Sequence, residues 1–127
     1  NRKGANKVLL IENDVIYLTR GDDAELEVNI LDGDGNAYTM QDGDTLVLTV
    51  RELPEFTSPV MFTVEATSSR IILSHDDTAD AEVGRYSADI ELRSGGLRRT
   101  IWPKLEEGSR YKVKNFRNFI IMPEVTQ

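Results

Sequence analysis

The sequence has no cysteine, and that absence removes several kinds of chemistry together. Disulfide bonds, thiolate nucleophiles and cysteine-ligated zinc all need the missing side chain. Histidine is almost as scarce, because His75 is the single imidazole available for acid–base or metal chemistry. Long apolar runs are missing too: the longest, Phe119–Met122, is far short of the roughly 20 residues that a membrane helix needs. We therefore expect no disulfide, no membrane span and no cofactor.

The residues that are present suffice for one packed domain. The chain has 127 residues, of which 39% are hydrophobic and 29% are charged, so wholesale disorder is not expected. The first residues are polar and basic and show no apolar pattern. We therefore predict a flexible N-terminal arm over residues 1–7 and a single domain over residues 8–127.

Charge is distributed unevenly along a chain whose net charge is −7. Twelve acidic and two basic residues lie between Glu12 and Glu55, whereas eight basic and two acidic residues lie between Arg93 and Arg117. General affinity for nucleic acid is not expected, because neutralising phosphates requires a net basic surface. Two interpretations of the basic segment stay open. Its strands offset neighbouring acidic strands, or they form a docking surface for an acidic partner.

Apolar residues recur with a period of two, which indicates strands with one face in the core and one in water. No segment of eleven or more residues has an amphipathic helical pattern, and turn residues separate the runs. We predict an all-β sandwich or small barrel with about seven to nine short strands. The clearest runs are Ala24–Ile30, Leu46–Val50, Val60–Val64 and Tyr86–Leu92, with shorter ones at Val15–Leu18, Ile71–Leu73, Leu97–Trp102, Tyr111–Lys114 and Phe119–Val125.

The sequence EVGRYSA, residues 82–88, narrows the type of sandwich. It matches the corner that leads into a strand of immunoglobulin domains, where a tyrosine hydroxyl binds backbone a few residues upstream. Gly84 and Tyr86 occupy the corner positions, and Ala88 occupies the place of the cysteine that forms the disulfide between the sheets. We predict an immunoglobulin-like antiparallel sandwich without a disulfide. The alternative is that Tyr86 is an ordinary half-buried strand residue.

The sequence LDGDGNAYTMQDGDT, residues 31–45, alternates acidic residues with glycines, as calcium loops and tight β-turns both do. With Asp32 at the first position of an EF-hand loop, the obligatory glycine is Ala37 and the bidentate glutamate is Gly43. The flanking segments also have a strand pattern where an EF-hand has helices. The spacing predicts two turns between core strands, and a calcium site of another type remains as an alternative.

His75 lies in the sequence SHDDT, residues 74–78, next to a serine and two aspartates. Adjacent residues at one strand end cannot converge on a substrate atom as a Ser/His/Asp triad requires. A phosphate-binding glycine loop is not indicated, because Gly33 and Gly35 are followed by a strand pattern rather than a helix. We interpret His75 as an exposed residue at a strand end, and we predict no catalytic, cofactor or metal site.

Trp102 is the single tryptophan, and it ends a segment in which cationic and apolar residues alternate. We favour a position at the edge of the core. The alternative is an exposed ring, which would suit a sugar platform or a hot spot for a protein partner.

The order of these motifs resembles that of a known family. YLTRGDDA at residues 17–24 is followed by DGDGN at 32–36, DGD at 42–44, GRYSADIEL at 84–92 and PEVT at 123–126. From residue 15 to residue 126 this arrangement resembles the small immunoglobulin-like proteins of tailed phages and prophages, in particular the N-terminal domain of baseplate upper proteins.

The resemblance implies a non-enzymatic domain of the virion, assembled in the bacterial cytoplasm, that docks on the phage tail or baseplate. Its expected partners are other tail or baseplate proteins rather than nucleic acid or membrane, and self-association stays open. The family supplies no site residues, so the assignment of a contact face to Arg98, Arg99 and Trp102 is our hypothesis. Family members carry host-recognition segments further along, so the sequence is either a free-standing accessory protein or one domain of a longer chain. The alternative function is a bacterial surface or carbohydrate-binding immunoglobulin-like module.

Overall fold

The computed structural model describes residues 7–8, 10–12, 15–32, 34–53, 57–103 and 117–124, with side-chain detail from residue 15 onward. Within these residues, ten strands and one single-turn helix form the fold. No helix in this part of the chain is long and apolar enough to cross a membrane. The elements are β1 Lys7–Val8, β2 Leu10–Glu12, β3 Val15–Thr19, β4 Ala24–Glu27, β5 Thr45–Arg51, β6 Val60–Ala66, β7 Arg70–Leu73, α1 His75–Thr78, β8 Gly84–Ser94, β9 Leu97–Trp102 and β10 Phe119–Met122.

The strands form two sheets of unequal size. The smaller sheet has the order β1-β4-β7, and the larger has the order β2-β3-β10-β8-β5-β6 with β9 added beside β8. β3 pairs with β10 in parallel, and β10 then pairs with the start of β8. β5 covers one edge of β8, while β10 and β9 share the other edge, β10 at residues 84–86 and β9 at residues 90–94. β8 is therefore the strand that connects all parts of the larger sheet.

The core lies between the two sheets, because period-two alternation directs one side of each strand inward. The prediction of an all-β fold with two packed sheets is confirmed. The buried apolar residues of the smaller sheet are Ala24, Leu26, Ile71 and Leu73, and those of the larger sheet include Ile16, Leu18, Leu46, Leu48, Val50, Ile90, Leu92, Phe119 and Ile121.

Some strand limits differ from the alternation in the sequence. β4 ends at Glu27, although the pattern predicts a strand to Ile30, because its partner strand β7 begins at Arg70. The Val28 N–H makes one more bond in the same register, to Ser69 O at 2.8 Å in the segment between β6 and β7. Ile30 is nevertheless buried in the core. The predicted strand over residues 111–114 and the end of the last predicted strand lie outside the described residues. So do residues 1–6 of the predicted arm, whereas Lys7 pairs with Ala24 in β1.

The corner before β8 has the hydrogen bond expected of it. The Tyr86 hydroxyl donates to the backbone oxygen of Glu82 at 2.6 Å, which fixes the approach of the chain to the strand. Gly84 begins β8 at this corner, and Ala88 faces the core where an immunoglobulin domain has a cysteine. No disulfide joins the two sheets, since the chain has no cysteine.

Candidate functional site

The first acidic turn uses its leading carboxylate to bind its own backbone. Asp32 Oδ1 accepts hydrogen bonds from the N–H groups of Asp34 at 2.9 Å and Asn36 at 3.0 Å. A bridge between Leu31 and Ala37 closes this loop. One oxygen that a calcium ion would need is thus already bonded to two backbone donors.

The second acidic turn is tied to distant parts of the fold through Asp44, a residue only 4% exposed. Its Oδ2 accepts from the Tyr38 hydroxyl at 2.5 Å and from the Gln41 N–H at 2.9 Å. Hydrogen bonds from the Ser94 hydroxyl, from Tyr38 and from Gln41 hold the pKa of Asp44 below its ordinary value. Gly43 completes the turn at a φ of +90°. Asp44 therefore connects this turn to the end of β8.

These contacts bear on the calcium alternative. No group of three or more His, Asp or Glu side chains that could hold a metal ion occurs within the part of the chain that the structure describes. Asp32 and Asp44 instead accept backbone and hydroxyl donors. Residues 31–45 therefore form two turns of the fold, and internal hydrogen bonds close both turns.

His75 begins the single-turn helix α1 rather than ending a strand. Ser74 caps the helix, and the Asp77 carboxylate accepts the Ser74 N–H at 2.8 Å to complete a capping box. Asp23 Oδ1 accepts the His75 N–H at 2.6 Å and lies 3.1 Å from His75 Nδ1. The hydrogen bond with Asp23 and the charge of Asp76 raise the pKa of His75. His75 thus links α1 to the start of β4.

This pair predicts a defined pH dependence of stability. The pKa of His75 is raised above 6.5 in the folded chain. Its contribution to the free energy of unfolding is therefore complete below pH 6.5 and is lost as pH rises through the folded-state pKa. The pKa of Asp23 is lowered below 3.8 by hydrogen bonds from His75, so that contribution disappears only in stronger acid. Urea unfolding between pH 5.5 and 8 should show decreasing stability, and His75→Gln should flatten the slope. Asp34→Asn, at an exposed site, is the control; an unchanged slope in His75→Gln would contradict the linkage.

An open groove of about 630 Å³ lies beside the tyrosine corner. Residues 80–86 form one wall, and Leu53, Met61 and Arg117 contribute to the rest. The described residues that line it include no histidine, serine or threonine, and the Tyr86 hydroxyl is bonded to backbone. The ionisable groups among these described lining residues are carboxylates, arginines and Tyr86.

The predicted contact face is divided between the two sides of β9. Arg99 pairs with Leu92, and Trp102 pairs with Ile90, so both lie on the core side of the sheet. Arg98 lies on the opposite side. Trp102 is half-buried and packs against the core, whereas both arginines are exposed. The three side chains therefore do not share one side of the strand, and Trp102 lies at the core edge.

The outer edge of β9 has no strand partner within the described part of the chain. Among the described residues, β9 bonds only to β8, which leaves backbone donors and acceptors on its other edge without a strand partner. Residues Leu97–Thr100 are all exposed, and Leu97 is 75% exposed. Neither Arg98 nor Arg99 forms an ion pair with a described residue. We call residues Leu97–Thr100 the β9 edge.

The β9 edge is the candidate functional site, because it combines an exposed leucine, two arginines and backbone groups that no described strand pairs with. Alternation in the sequence locates this strand but contains no signal that it lies at an edge, since central and edge strands share the same period. The feature of the sequence that points to this site is a basic strand within an acidic chain. Comparison with known proteins assigns no family: no family model, no curated protein and no solved structure matches the chain.

Proposed function

We propose that this chain is a non-enzymatic docking module of a phage or prophage tail or baseplate. The observation that carries the docking role is the β9 edge, an exposed strand edge with Arg98 and Arg99 unpaired among the described residues. The assignment to a virion rests on the order of motifs from residue 15 to residue 126, which resembles that of baseplate upper proteins. An immunoglobulin-like fold belongs to the same proposal, and the Tyr86–Glu82 hydrogen bond supports it.

In the proposed mechanism, the rigid sandwich holds the β9 edge in position for a partner strand. A partner strand added to β9 gains backbone hydrogen bonds, which supply affinity without requiring a pocket. Arg98 and Arg99 project to opposite sides of the sheet, so an acidic side chain on either side of an added strand meets an arginine. The chain as a whole has a net charge of −7, which disfavours approach of acidic partners to its other surfaces.

The carbohydrate-binding alternative depends on an exposed aromatic platform. Trp102 packs against the core and is only partly accessible. Tyr38 is also half-buried, and its hydroxyl is bonded to Asp44. No observation on these rings favours sugar binding over protein docking.

Sedimentation of virion particles tests the proposed function. A tagged copy expressed in the bacterium that encodes the chain should sediment with tail-containing particles. Arg98→Glu/Arg99→Glu should lower the amount bound by at least tenfold, because reversing charges at an interface costs several kcal/mol. Arg85→Glu, a matched change at an exposed arginine at the other end of β8, should bind normally. A tagged chain that remains in the supernatant would refute the virion assignment.

A further inference from the structure

On the flank opposite to β9, the strand β6 also has one edge that no described strand pairs with. Among the described residues, β6 bonds to β5 alone and β9 bonds to β8 alone. Each edge therefore has backbone N–H and C=O groups available to another strand. β6 has seven residues and β9 has six, so their lengths are compatible.

The strand directions of the two edges are compatible as well. β5 runs antiparallel to both β8 and β6, so β6 runs parallel to β8. β9 runs antiparallel to β8 and hence antiparallel to β6. A second copy placed beside the first in the same orientation therefore brings its β6 against β9 as an antiparallel pair, with core-facing sides aligned.

We propose that the β9 edge of one copy pairs with β6 of a second copy, with Arg98 opposite Glu65. Both residues lie on the outer side of the sheet, since Arg98 pairs with Arg93 within its own chain and Glu65 pairs with Val47. Glu65 is exposed, and Arg98 forms no ion pair with a described residue. Opposite charges at directly opposed positions stabilise antiparallel sheets.

The same register matches the neighbouring residues. Thr100 of one copy lies opposite Thr63 of the second copy on the outer side, a favourable cross-strand pair. On the core side, Leu97 lies opposite Ala66 of the second copy and Arg99 lies opposite Val64, so Arg98 is the arginine that gains a directly opposed acidic residue. Leu97, 75% exposed in the single chain, is thereby covered by an apolar neighbour.

This contact joins two different surfaces, so each added copy leaves one β9 edge and one β6 edge free. Contacts of this kind form rings when the rotation closes and filaments when it does not. The inference rests on the proposed docking function and deepens it, because it names a second copy of this chain as the partner. A ring or stack of identical domains suits a tail assembly built from repeated subunits.

The absence of cysteine allows a test by disulfide cross-linking. Thr100→Cys mixed with Thr63→Cys under mild oxidation should give a linked dimer, since opposed Cα atoms of an antiparallel pair lie about 4.5–5.5 Å apart, within the range that a disulfide spans. The yield should exceed that of Thr100→Cys mixed with Thr39→Cys, an exposed control outside β6, by at least tenfold. Equal yields, or faster linking of Thr100→Cys to itself, would overturn the proposal.

Charge reversal supplies a second measurement on the cysteine-free chain. Sedimentation equilibrium should show mass increasing with protein concentration, and Arg98→Glu should weaken association about fivefold. Adding Glu65→Arg to the same chain should restore it, because every contact then has one residue of each sign. A double variant weaker than either single variant contradicts the register.

The two experiments separate failure of the contact from failure of the docking function. If the natural chain sediments with particles but Thr100→Cys and Thr63→Cys do not link, docking stands and the contact between copies is wrong. If the two cysteines link but the chain does not sediment with particles, the contact between copies stands and the virion assignment is wrong.

Discussion

Replacing Asn118 with alanine should lower the free energy of unfolding by about 2–4 kcal/mol, a large loss for one small polar side chain. Asn118 Oδ1 accepts the Ala88 N–H at 2.7 Å, and its Nδ2 donates to Ala88 O at 3.0 Å. Ala88 lies in the gap between the residues of β8 that pair with β10 and those that pair with β9. The Asn118 amide therefore substitutes for a strand backbone at this point. Asn118 is only 2% exposed, so after its replacement the N–H and C=O groups of Ala88 would have little access to water.

Urea unfolding of Asn118→Ala tests this role, with Asn29→Ala as the control. Asn29 is exposed, so its substitution should change stability by less than about 0.5 kcal/mol. Asn118→Asp supplies a sharper comparison, because its ionised carboxylate accepts from Ala88 N–H but cannot donate to Ala88 O. That variant should be destabilised at neutral pH and regain stability as the carboxyl group is protonated. Equal stability of Asn118→Ala and Asn29→Ala would show that the two hydrogen bonds contribute little.

Local alternation predicts the long strands well and the ends of others poorly. The pattern predicts β9 at Leu97–Trp102, as found, and predicts β8 at Tyr86–Leu92, two residues short at each end. β8 is predicted well because one of its faces lies in the core, whereas only Ile101 and Trp102 at the end of β9 pack against the core. β4 ends early because its partner strand β7 begins at Arg70, a residue more than forty positions along the chain that no local pattern contains.

Local patterns also do not show the distant partners of polar residues. The sequence predicts that Asp44 lies in a turn, but its bond to the hydroxyl of Ser94 depends on how β8 ends beside that turn. The helix at His75, by contrast, has a local signal that the strand-end interpretation leaves unused: Ser74 and Asp77 have the spacing of a capping box. Periodicity also does not distinguish an edge from a central strand, so Val60 at the β6 edge is exposed despite its place in an apolar alternation.

Replacing Phe119 with alanine should have the largest effect of any single change proposed, at about 3–5 kcal/mol of lost stability. Phe119 is fully buried, and its ring meets that of Phe62 edge-on, with centroids 6.0 Å apart and planes at 73°. It pairs with Ile16 of β3 and Tyr86 of β8, so the cavity would open where β10 joins both strands. A small domain has a total stability of about 5–15 kcal/mol, so this loss is a large part of it.

Two variants separate the lost ring from general damage to β10. Phe119→Leu keeps most of the volume and should cost less than about 1.5 kcal/mol. Ile120→Ala changes the next residue, which points to the other side of the sheet and is only half-buried, so it should cost less than Phe119→Ala. A double-mutant cycle of Phe119→Leu with Phe62→Leu should give a coupling of about 0.5–1.5 kcal/mol if the edge-on contact is itself stabilising. Should Phe119→Ala cost no more than Ile120→Ala, the core would not depend on this ring. β10 would then be held mainly by its hydrogen bonds and by Asn118, the polar residue that precedes it.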